Sequence, residues 1–109
     1  MKELLYKLEI FLPEDYKEAV FQALWSVDAG HIGKYDRCLS WSRVNSCWRP
    51  LDNSSPFHGM PGEITWAEEI KIEVCCVESR LADTVAAIKG VHPYEEPVIN
   101  VLPMVGTGL

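Results

Sequence analysis

The sequence predicts an α+β fold in which two helices cover one face of an antiparallel sheet. Residues 4–12 and 63–77 show the alternation of apolar and polar side chains that is typical of half-buried strands. The stretches that follow them, beginning at Pro13 and at Ser79, carry apolar residues at helical spacing. A length of 109 residues predicts one domain that spans 1–109.

The first strand and the first helix have the clearest patterns. Alternate residues of the strand at 4–12 form one apolar face, which comprises Tyr6, Leu8, Ile10 and Leu12. Pro13-Glu14-Asp15 indicates a helix start, because proline suits the first turn and carboxylates there favour the helix dipole. The helix is expected to end at Gly30. Its apolar stripe comprises Tyr16, Val20, Ala23, Leu24 and Val27.

Residues 30–62 have the least regular pattern. Residues 35–41 have the aromatic and apolar content of a strand, and Asn45-Ser46 is predicted to turn the chain back through Cys47-Trp48-Arg49. The three prolines within 50–61 indicate a long loop. Because a loop of this length inside a small fold is often functional or contacts a partner, it is a candidate binding element.

The second half of the chain is predicted to add a strand, a helix and a last strand. In the strand at 63–77, the polar face comprises Glu69, Lys71, Glu73 and Cys75, and the apolar face comprises Ile70, Ile72, Val74 and Cys76. Ser79 is predicted to cap the second helix, and Gly90 to end it. This helix would bury Leu81, Val85 and Ile88. Residues 98–102 form the last strand, which Pro103 either ends or places at a sheet edge.

The predicted order is strand, helix, two strands, helix, strand, which is the split βαβ arrangement of ferredoxin-like domains. This arrangement places both helices on one face of the sheet and leaves the opposite face open. Self-association would cover that face, and four tryptophans in a short chain favour buried contacts of this kind.

Composition and charge exclude several classes of partner. A net charge of −6 argues against nonspecific binding of nucleic acid, which needs a basic surface. The sequence has no apolar run near the roughly 20 residues that span a bilayer, and residues 1–7 do not resemble a signal peptide. We therefore expect a cytoplasmic protein that binds neither nucleic acid nor membrane.

The four cysteines are predicted to be reduced. Cys75 and Cys76 are adjacent, so in a strand they point to opposite faces and suit no common disulfide framework. Cys38 and Cys47 would lie on the two arms of the predicted hairpin. There they can face each other, bind a soft metal or pair on oxidation, although buried thiols are the favoured interpretation.

The stretch His92-Pro93-Tyr94-Glu95-Glu96-Pro97 is the densest cluster of chemically active side chains. His92, Glu95 and Glu96 are suitable ligands for zinc or copper, but a structural metal site needs about four ligands. A neighbouring subunit would have to complete the set. The alternative, which we favour, is that the two prolines shape a turn, His92 caps the preceding helix and a glutamate pairs across subunits.

Gly30-His31-Ile32-Gly33 is a second candidate element. It follows a helix C-terminus, where partial negative charge suits a histidinium or a cation and does not suit a phosphate. The segment is either a helix cap with a tight turn or part of a ligand cleft in which His31 and Tyr35 face a partner subunit. His58, in the long loop, is expected to be exposed.

Two motifs together resemble a known family. Residues 30–38 resemble the G-x-I-G-x-Y-x-x-C signature of the inserted, PII-like domain in the NGG-one-interacting factor three (YqfO/YbgI dimetal-binding) proteins. Trp48-Arg49-Pro50, Gly59, Gly62-Glu63 and residues 69–73 follow in the same order, and residues 92–97 match its closing motif. The closing motif is also similar to that of CutA. The resemblance, over about 5–103, implies a standalone PII/CutA-like subunit that forms a homotrimer.

Two functional hypotheses follow. The first is a non-enzymatic regulatory or small-ligand/cation-binding module of PII/CutA type that acts as a homo-oligomer, with a trimer favoured. Its clefts would lie between subunits, and the candidate residues are Gly30, His31, Gly33, Tyr35, Arg49, His92, Tyr94, Glu95 and Glu96. No cofactor is identified, although a divalent cation held by His92, Glu96 and His31 is one candidate.

The second hypothesis is a metal-dependent hydrolase or metal-tolerance protein that uses His31, His92 and Glu95 or Glu96. The sequence lacks the dimetal motifs of the full-length family, and it contains no recognisable nucleophilic triad, so we predict no catalytic residue. A structural partner of another protein, bound through the sheet edge or the tryptophan-rich hairpin, is a third interpretation.

Overall fold

The computed structural model describes residues 3–108, which form four strands and two α-helices. Strand β1 spans Leu5–Leu12, and helix α1 spans Lys17–Ser26 after a short 3-10 turn at Glu14–Tyr16. Strands β2 and β3 span Leu39–Trp48 and Thr65–Val77. A second 3-10 turn at Glu78–Arg80 leads into helix α2 at Leu81–Val91, and strand β4 spans Ile99–Met104.

The four strands form one antiparallel sheet in the order β2-β3-β1-β4. Both helices pack on the same face, so the predicted ferredoxin-like α+β fold is confirmed. Strand β4 lies at an edge, which explains how Pro103 is accommodated inside it: an edge strand needs backbone hydrogen bonds on one side only.

The core lies between the helices and one face of β1 and β3. The predicted inward residues of the two strands are all buried: Leu8, Ile10, Leu12, Ile70, Ile72, Val74 and Cys76. From the helices, Val20 and Leu24 of α1 and Ile88 of α2 are fully buried as predicted. Phe21 was missed by the helical stripe, yet it is only 5% exposed and packs against Trp25 and Trp41.

The predicted turn at Asn45-Ser46 is wrong. Strand β2 passes through both residues without a break, and they pair with Glu68 and Ala67 of β3. A ten-residue ladder satisfies the backbone groups of the whole strand, and this outweighs the turn preference of an Asn-Ser pair. The chain reverses instead in the loop 49–64, whose existence was predicted correctly.

Because β2 continues through Asn45 and Ser46, Cys38 and Cys47 lie far apart. Cys47 lies in β2 and Cys38 lies just before it, so they are not on facing arms. At about 3.3 Å per residue, their separation of nine positions along the chain corresponds to roughly 30 Å. All four cysteines are free, and the exposure of Cys47 contradicts its interpretation as a buried thiol.

Three helix boundaries differ from the sequence-based expectation. Helix α1 ends at Ser26, before Gly30, and Asp28 adopts the left-handed conformation after it. Helix α2 continues through Gly90 to Val91, because the apolar contacts of its inner face outweigh the low helix propensity of one glycine. Ser79 does not cap α2 through its side chain; it lies within the 3-10 turn, where its backbone N–H donates to Glu3 Oε1.

The open face of the sheet carries a row of paired charges, formed by Lys7, Glu9, Lys71 and Glu73. Lys7 Nζ lies 2.6 Å from Glu73 Oε1 and 3.4 Å from Glu9 Oε2, and Lys71 Nζ lies 3.7 Å from Glu9 Oε2. The predicted polar face of β3 is therefore correct for Lys71 and Glu73, which pair across strands. Neither helix within residues 3–108 is long and apolar enough to cross a bilayer. The prediction that residues 1–7 are not a signal peptide also involves Met1 and Lys2, which lie outside the described residues.

Candidate functional site

A cleft of about 730 Å³ lies beside the end of the sheet, between the loop 49–64 and the segment 92–98. We call it the aromatic cleft. The rings of Trp48, Phe57, His58 and Tyr94 line it, together with the charged side chains of Arg49, Glu69, Glu95 and Glu96. Its volume falls within the range of about 300–1,000 Å³ that is usual for small-molecule sites.

The loop wall of the cleft is held by hydrogen bonds and ring contacts. Trp48 Nε1 donates to the carbonyl oxygen of His58 at 3.2 Å, and the Gly62 N–H donates to Pro50 O at 2.8 Å. Phe57 meets the ring of Tyr16 edge-on, with 5.8 Å between centroids, which connects the loop to the start of α1. These contacts give the loop a defined shape, and the side chain of His58 is exposed as predicted.

His92 is a structural residue at the base of the second wall. Pairing between β1 and β4 ends at Ile10 and Ile99, so the carbonyl of Phe11 has no partner strand at that position. His92 Nε2 donates to this carbonyl at 2.7 Å, and its Nδ1 accepts from the backbone N–H of Tyr94 at 3.2 Å. Both nitrogens are thereby used, and the neutral form with the proton on Nε2 satisfies both bonds.

Burial lowers the pKa of His92, against the opposing effect of the hydrogen bond to Phe11. The neutral imidazole is therefore favoured, which agrees with its role as donor at one nitrogen and acceptor at the other. A cation at His92 would have to displace one of these two hydrogen bonds. The backbone N–H of His92 also donates to Ile88 O at 2.9 Å and so caps α2.

Tyr94 and Glu69 form the floor of the cleft. The hydroxyl of Tyr94 donates to Glu69 Oε2 at 2.6 Å, and the pKa of this hydroxyl is raised by burial and by the hydrogen bond to the carboxylate. Glu69 is only 5% exposed, so its prediction as part of a solvated strand face is wrong. Tyr94, which lies outside the strand, contacts the carboxylate of Glu69 directly.

The side chain of Glu69 lines the cleft, and its two carboxylate oxygens differ in their partners. Among residues 3–108, Oε1 has no hydrogen-bond partner, and it is not sealed off from solvent. None of the ion pairs formed by the described part of the chain includes Glu69. The cleft therefore contains a buried carboxylate with one open acceptor position.

Glu95, Glu96 and Arg49 stand at the rim. Glu95 Oε1 accepts from the backbone N–H of Ser55 at 2.9 Å and joins the two walls, whereas Glu96 and Arg49 are exposed. Among the residues that the structure describes, three carboxylates and one guanidinium line the cleft, and this lining is therefore acidic. Of the predicted site residues, the structure thus brings together Arg49, Tyr94, Glu95 and Glu96, with His92 directly behind Tyr94.

The other predicted site residues lie at the opposite end of the sheet. The N–H of Gly30 donates to Cys75 O at 2.8 Å, and Cys75 pairs with Lys7 at the start of β1. The cleft adjoins Glu69, six residues away on β3, which corresponds to roughly 20 Å. Gly33 and Tyr35, like Gly30, are therefore separated from the cleft within one chain.

His31 has its own local partners at that end. Its Nδ1 lies 3.0 Å from Asp28 Oδ2, and its Nε2 lies 3.1 Å from the carbonyl oxygen of Gly33. Because both neighbours are acceptors, the protonated imidazolium satisfies both. The carboxylate of Asp28 raises the pKa of His31 accordingly. The predicted preference of this helix end for a histidinium matches this geometry.

Within residues 3–108, no three His, Cys, Asp or Glu side chains are grouped closely enough to hold a metal ion. His31 and His92 lie at opposite ends of the sheet and cannot share a cation inside one chain. The sequence reasoning missed Glu69 and Trp48 as site residues, and it predicted the loop that carries Phe57 as a binding element without naming Phe57 itself. The sequence did contain an indication of Trp48 and Phe57. One aromatic residue directly precedes the long loop and the other lies inside it, among residues that otherwise favour turns.

No protein-family model matches the chain. Among curated proteins, it is 38% identical over 106 residues to a "GTP cyclohydrolase 1 type 2 homolog" of Halalkalibacterium halodurans, and 35% identical over 100 residues to that of Bacillus subtilis. These matches cover 97% and 92% of the chain, but only 28% and 27% of the two relatives. The chain therefore spans little more than a quarter of these proteins.

A solved structure decides the assignment. The Bacillus cereus protein related to NIF3 superposes with a TM-score of 0.84 at 30% identity, over 95% of this chain and 26% of that one. The chain is similar to a domain of the NIF3 family. Its fold is also that of the divalent cation tolerance protein CutA from Archaeoglobus fulgidus, with a TM-score of 0.71 at 20% identity, and of Bacillus subtilis GlnK, with a TM-score of 0.65 at 19% identity. The predicted resemblance to the PII/CutA-like part of the NIF3 family is confirmed.

Proposed function

We propose that this NIF3-like domain is a non-enzymatic binding module of PII/CutA type that holds a small ligand or cation in the aromatic cleft and works as a homo-oligomer. The observation that carries the proposal is the cleft itself. Its two walls are already positioned by the hydrogen bonds of Trp48, His92 and Glu95, and preorganised walls lower the entropic cost of binding.

The chemistry of the lining supports binding rather than catalysis. The hydroxyl of Ser54 donates to Leu51 O, and no described serine, threonine or cysteine is hydrogen-bonded to a histidine in the cleft. His92 uses both ring nitrogens inside the fold, which disfavours a role as general base. The name of the curated relatives refers to proteins more than three times as long, and we assign any reaction of those proteins to parts outside this domain.

Self-association would complete the site. Gly30 contacts β3 about 20 Å along the strand from Glu69 and the aromatic cleft, and the predicted cleft residues His31, Gly33 and Tyr35 follow it in the chain. A second copy would bring these residues to the cleft. Strand β4 is an edge strand with apolar Val101 and Leu102 at its surface, and exposed Val105 follows it directly. An unpaired edge with apolar side chains is a suitable subunit contact, and the resemblance to CutA and PII proteins favours a trimer.

Two solved structures of this fold indicate the range of ligands to test. One is the divalent cation tolerance protein from Archaeoglobus fulgidus, and another is a complex of Bacillus subtilis GlnK with ATP. Both are below 25% identical to this chain, so they suggest probes and do not identify its ligand.

Native mass spectrometry of untagged protein tests the proposal. We expect an oligomer, with a trimer as the favoured species, that carries a co-purified small molecule or ion. The Trp48→Ala variant should lose the bound species, because it removes one aromatic wall. Trp66→Ala is the matched control, since Trp66 is 73% exposed and does not line the cleft.

A strictly monomeric protein that binds neither metabolites nor divalent cations would overturn the proposal. Tightly bound metal at one ion per subunit, together with hydrolytic activity that His92→Ala or Glu96→Ala abolishes, would favour the hydrolase alternative instead. Unchanged thermal stability on addition of a chelator would argue against that alternative, because a metal that binds the folded state stabilises it.

A further inference from the structure

We propose that the aromatic cleft recognises a guanidinium or amidinium group through Glu69. This inference rests on the proposed binding function and specifies the class of ligand. Such a group is a planar cation whose N–H groups donate parallel hydrogen bonds to a carboxylate. The structure supplies the three features that it needs: an open carboxylate oxygen, flat aromatic walls and an acidic lining.

Glu69 provides the anchor. A buried carboxylate is costly unless hydrogen bonds or an opposite charge compensate it. The residue Glu69 is only 5% exposed. Within residues 3–108 its side chain has one hydrogen bond, which the hydroxyl of Tyr94 donates to Oε2. The side chain lines the cleft, and its Oε1 has no hydrogen-bond partner in that part of the chain and is not sealed off from solvent. A ligand with N–H donors and positive charge would therefore satisfy both unmet requirements.

The rings beside Glu69 suit a flat cation. Tyr94 lies between Trp48 and Phe57, at centroid distances of 5.7 Å and 5.9 Å, and all three rings line the cleft. Aromatic faces attract cations, tryptophan most strongly, and guanidinium groups stack on them because both are planar. A group bonded to Glu69 would lie against these rings.

The charges of the rim favour the same class of ligand. Glu95 and Glu96 add two carboxylates to that of Glu69, against the single guanidinium of Arg49 among the lining residues that the structure describes. This excess of negative charge attracts cations and repels phosphates. A phosphate-bearing ligand would need further positive charge from a neighbouring subunit.

A series of three probes on the unmodified chain tests the proposal by calorimetric titration. Butylguanidinium is planar, charged and donor-rich; butylurea has nearly the same shape and donors without the charge; tetramethylammonium has the charge without donors. We expect butylguanidinium to bind at least about tenfold more tightly than either control, since hydrogen bonds to charged groups contribute roughly 10- to 100-fold in affinity.

Glu69→Gln is expected to weaken butylguanidinium binding by about tenfold or more, because it removes the charge while it preserves the shape of the side chain. Glu68→Gln is the matched control. It makes the same change at the neighbouring position of β3, where the side chain is exposed and does not line the cleft. Binding to this control should equal that of the unmodified chain.

Equal affinities for butylguanidinium and butylurea would overturn the proposal, as would unaltered binding to Glu69→Gln. If that variant fails to fold, the comparison of the three probes on the unmodified chain still decides the question. A co-purified ligand that is lost in Trp48→Ala but kept in Glu69→Gln would refute the guanidinium inference and leave the binding function standing. If the unmodified chain is monomeric and binds no ligand at all, both the binding function and the guanidinium inference are refuted.

Discussion

His92→Phe should destabilise the fold substantially, although the substitution preserves an aromatic ring of similar size. The ring of His92 lies 5.0 Å from that of Tyr94, and phenylalanine can keep this contact. It cannot donate to Phe11 O or accept from the Tyr94 N–H, so two backbone groups next to a buried side chain lose their partners. The substitution therefore isolates the hydrogen bonds from the packing.

The expected loss follows from the cost of unpaired groups. A buried donor or acceptor without a partner costs about 1–3 kcal/mol. Two such groups give about 2–4 kcal/mol. The upper end of this range is reduced because Phe11 lines the cleft, so water can reach part of its carbonyl once His92 is replaced. For a chain of this size the melting temperature would fall by about 10–25 °C.

Urea denaturation followed by tryptophan fluorescence measures this loss, at a fixed protein concentration because an oligomer has concentration-dependent stability. His58→Phe is the matched control: the same substitution is made on an exposed ring whose side chain has no hydrogen bond within the described residues. We expect that control to change the free energy of unfolding by less than about 0.5 kcal/mol. A loss below that value for His92→Phe would refute the structural role of this histidine.

The difference in the free energy of unfolding between the unmodified protein and His92→Phe should also depend on pH. The folded-state pKa of His92 is lowered by burial, so the unfolded chain binds a proton at a pH where the folded chain does not. The unmodified protein therefore loses stability as the pH falls from the ordinary histidine pKa of about 6.5 towards the lowered value. His92→Phe lacks this loss, and the gap between the two proteins should narrow over that window.

Three further predictions concern other parts of the fold, and chemical denaturation checks each. Gly30→Ala should cost at least about 2 kcal/mol, because φ is +84° there and the new Cβ would collide with the backbone of Cys38; unchanged stability would contradict the close approach. Gly90→Ala should instead stabilise by about 0.5–1 kcal/mol, since the glycine is helical and its Cβ position is open; a loss would argue against a helix that extends to Val91. Arg43→Ala should cost less than about 1 kcal/mol and nothing in molar salt, because its bidentate pair with Glu14 is exposed; a salt-independent loss would indicate a packing role.

The sheet core was predictable because its signal is local. Leu8, Ile10 and Leu12 alternate with polar residues, and one-sided burial imposes that period of two. The same alternation gave the wrong result at Glu69, which lies on the solvent-facing side of β3 by its position and yet is buried. Its burial depends on Tyr94, a residue 25 positions away, and alternation within one strand carries no information about such a contact.

The errors in the second quarter of the chain have a similar origin. Asn45-Ser46 has the composition of a turn, but its conformation is fixed by pairing with β3 across a loop of sixteen residues. Residues 92–97 were predicted as a candidate functional element, and three of them, Tyr94, Glu95 and Glu96, line the cleft. The motif did not predict that the side chain of His92 would bond to the carbonyl of Phe11, because this carbonyl is available only where the pairing of β1 with β4 stops, at Ile10 and Ile99.

The hydrogen bonds of the aromatic cleft join residues far apart along the chain. Tyr94 bonds to Glu69, Glu95 to Ser55 and His92 to Phe11, at sequence separations of 25, 40 and 81. Contacts of long range form late in folding, because closing large loops costs entropy before any contact compensates it. The pairing of β1 with β4 is of equally long range, since it joins Leu5 to Met104. Because the walls of the cleft extend from strands of that sheet, we expect the cleft to be assembled last, after the sheet and helices are in place.

The order of assembly has a counterpart in the folded protein. Segments joined late, near the surface and through few contacts, are commonly the first to open in native-state fluctuations. The Ser55 amide would then exchange its hydrogen faster than the amides of β1 and β3. Filling the cleft should slow that exchange, so this single amide offers a reporter of occupancy that requires no knowledge of the ligand.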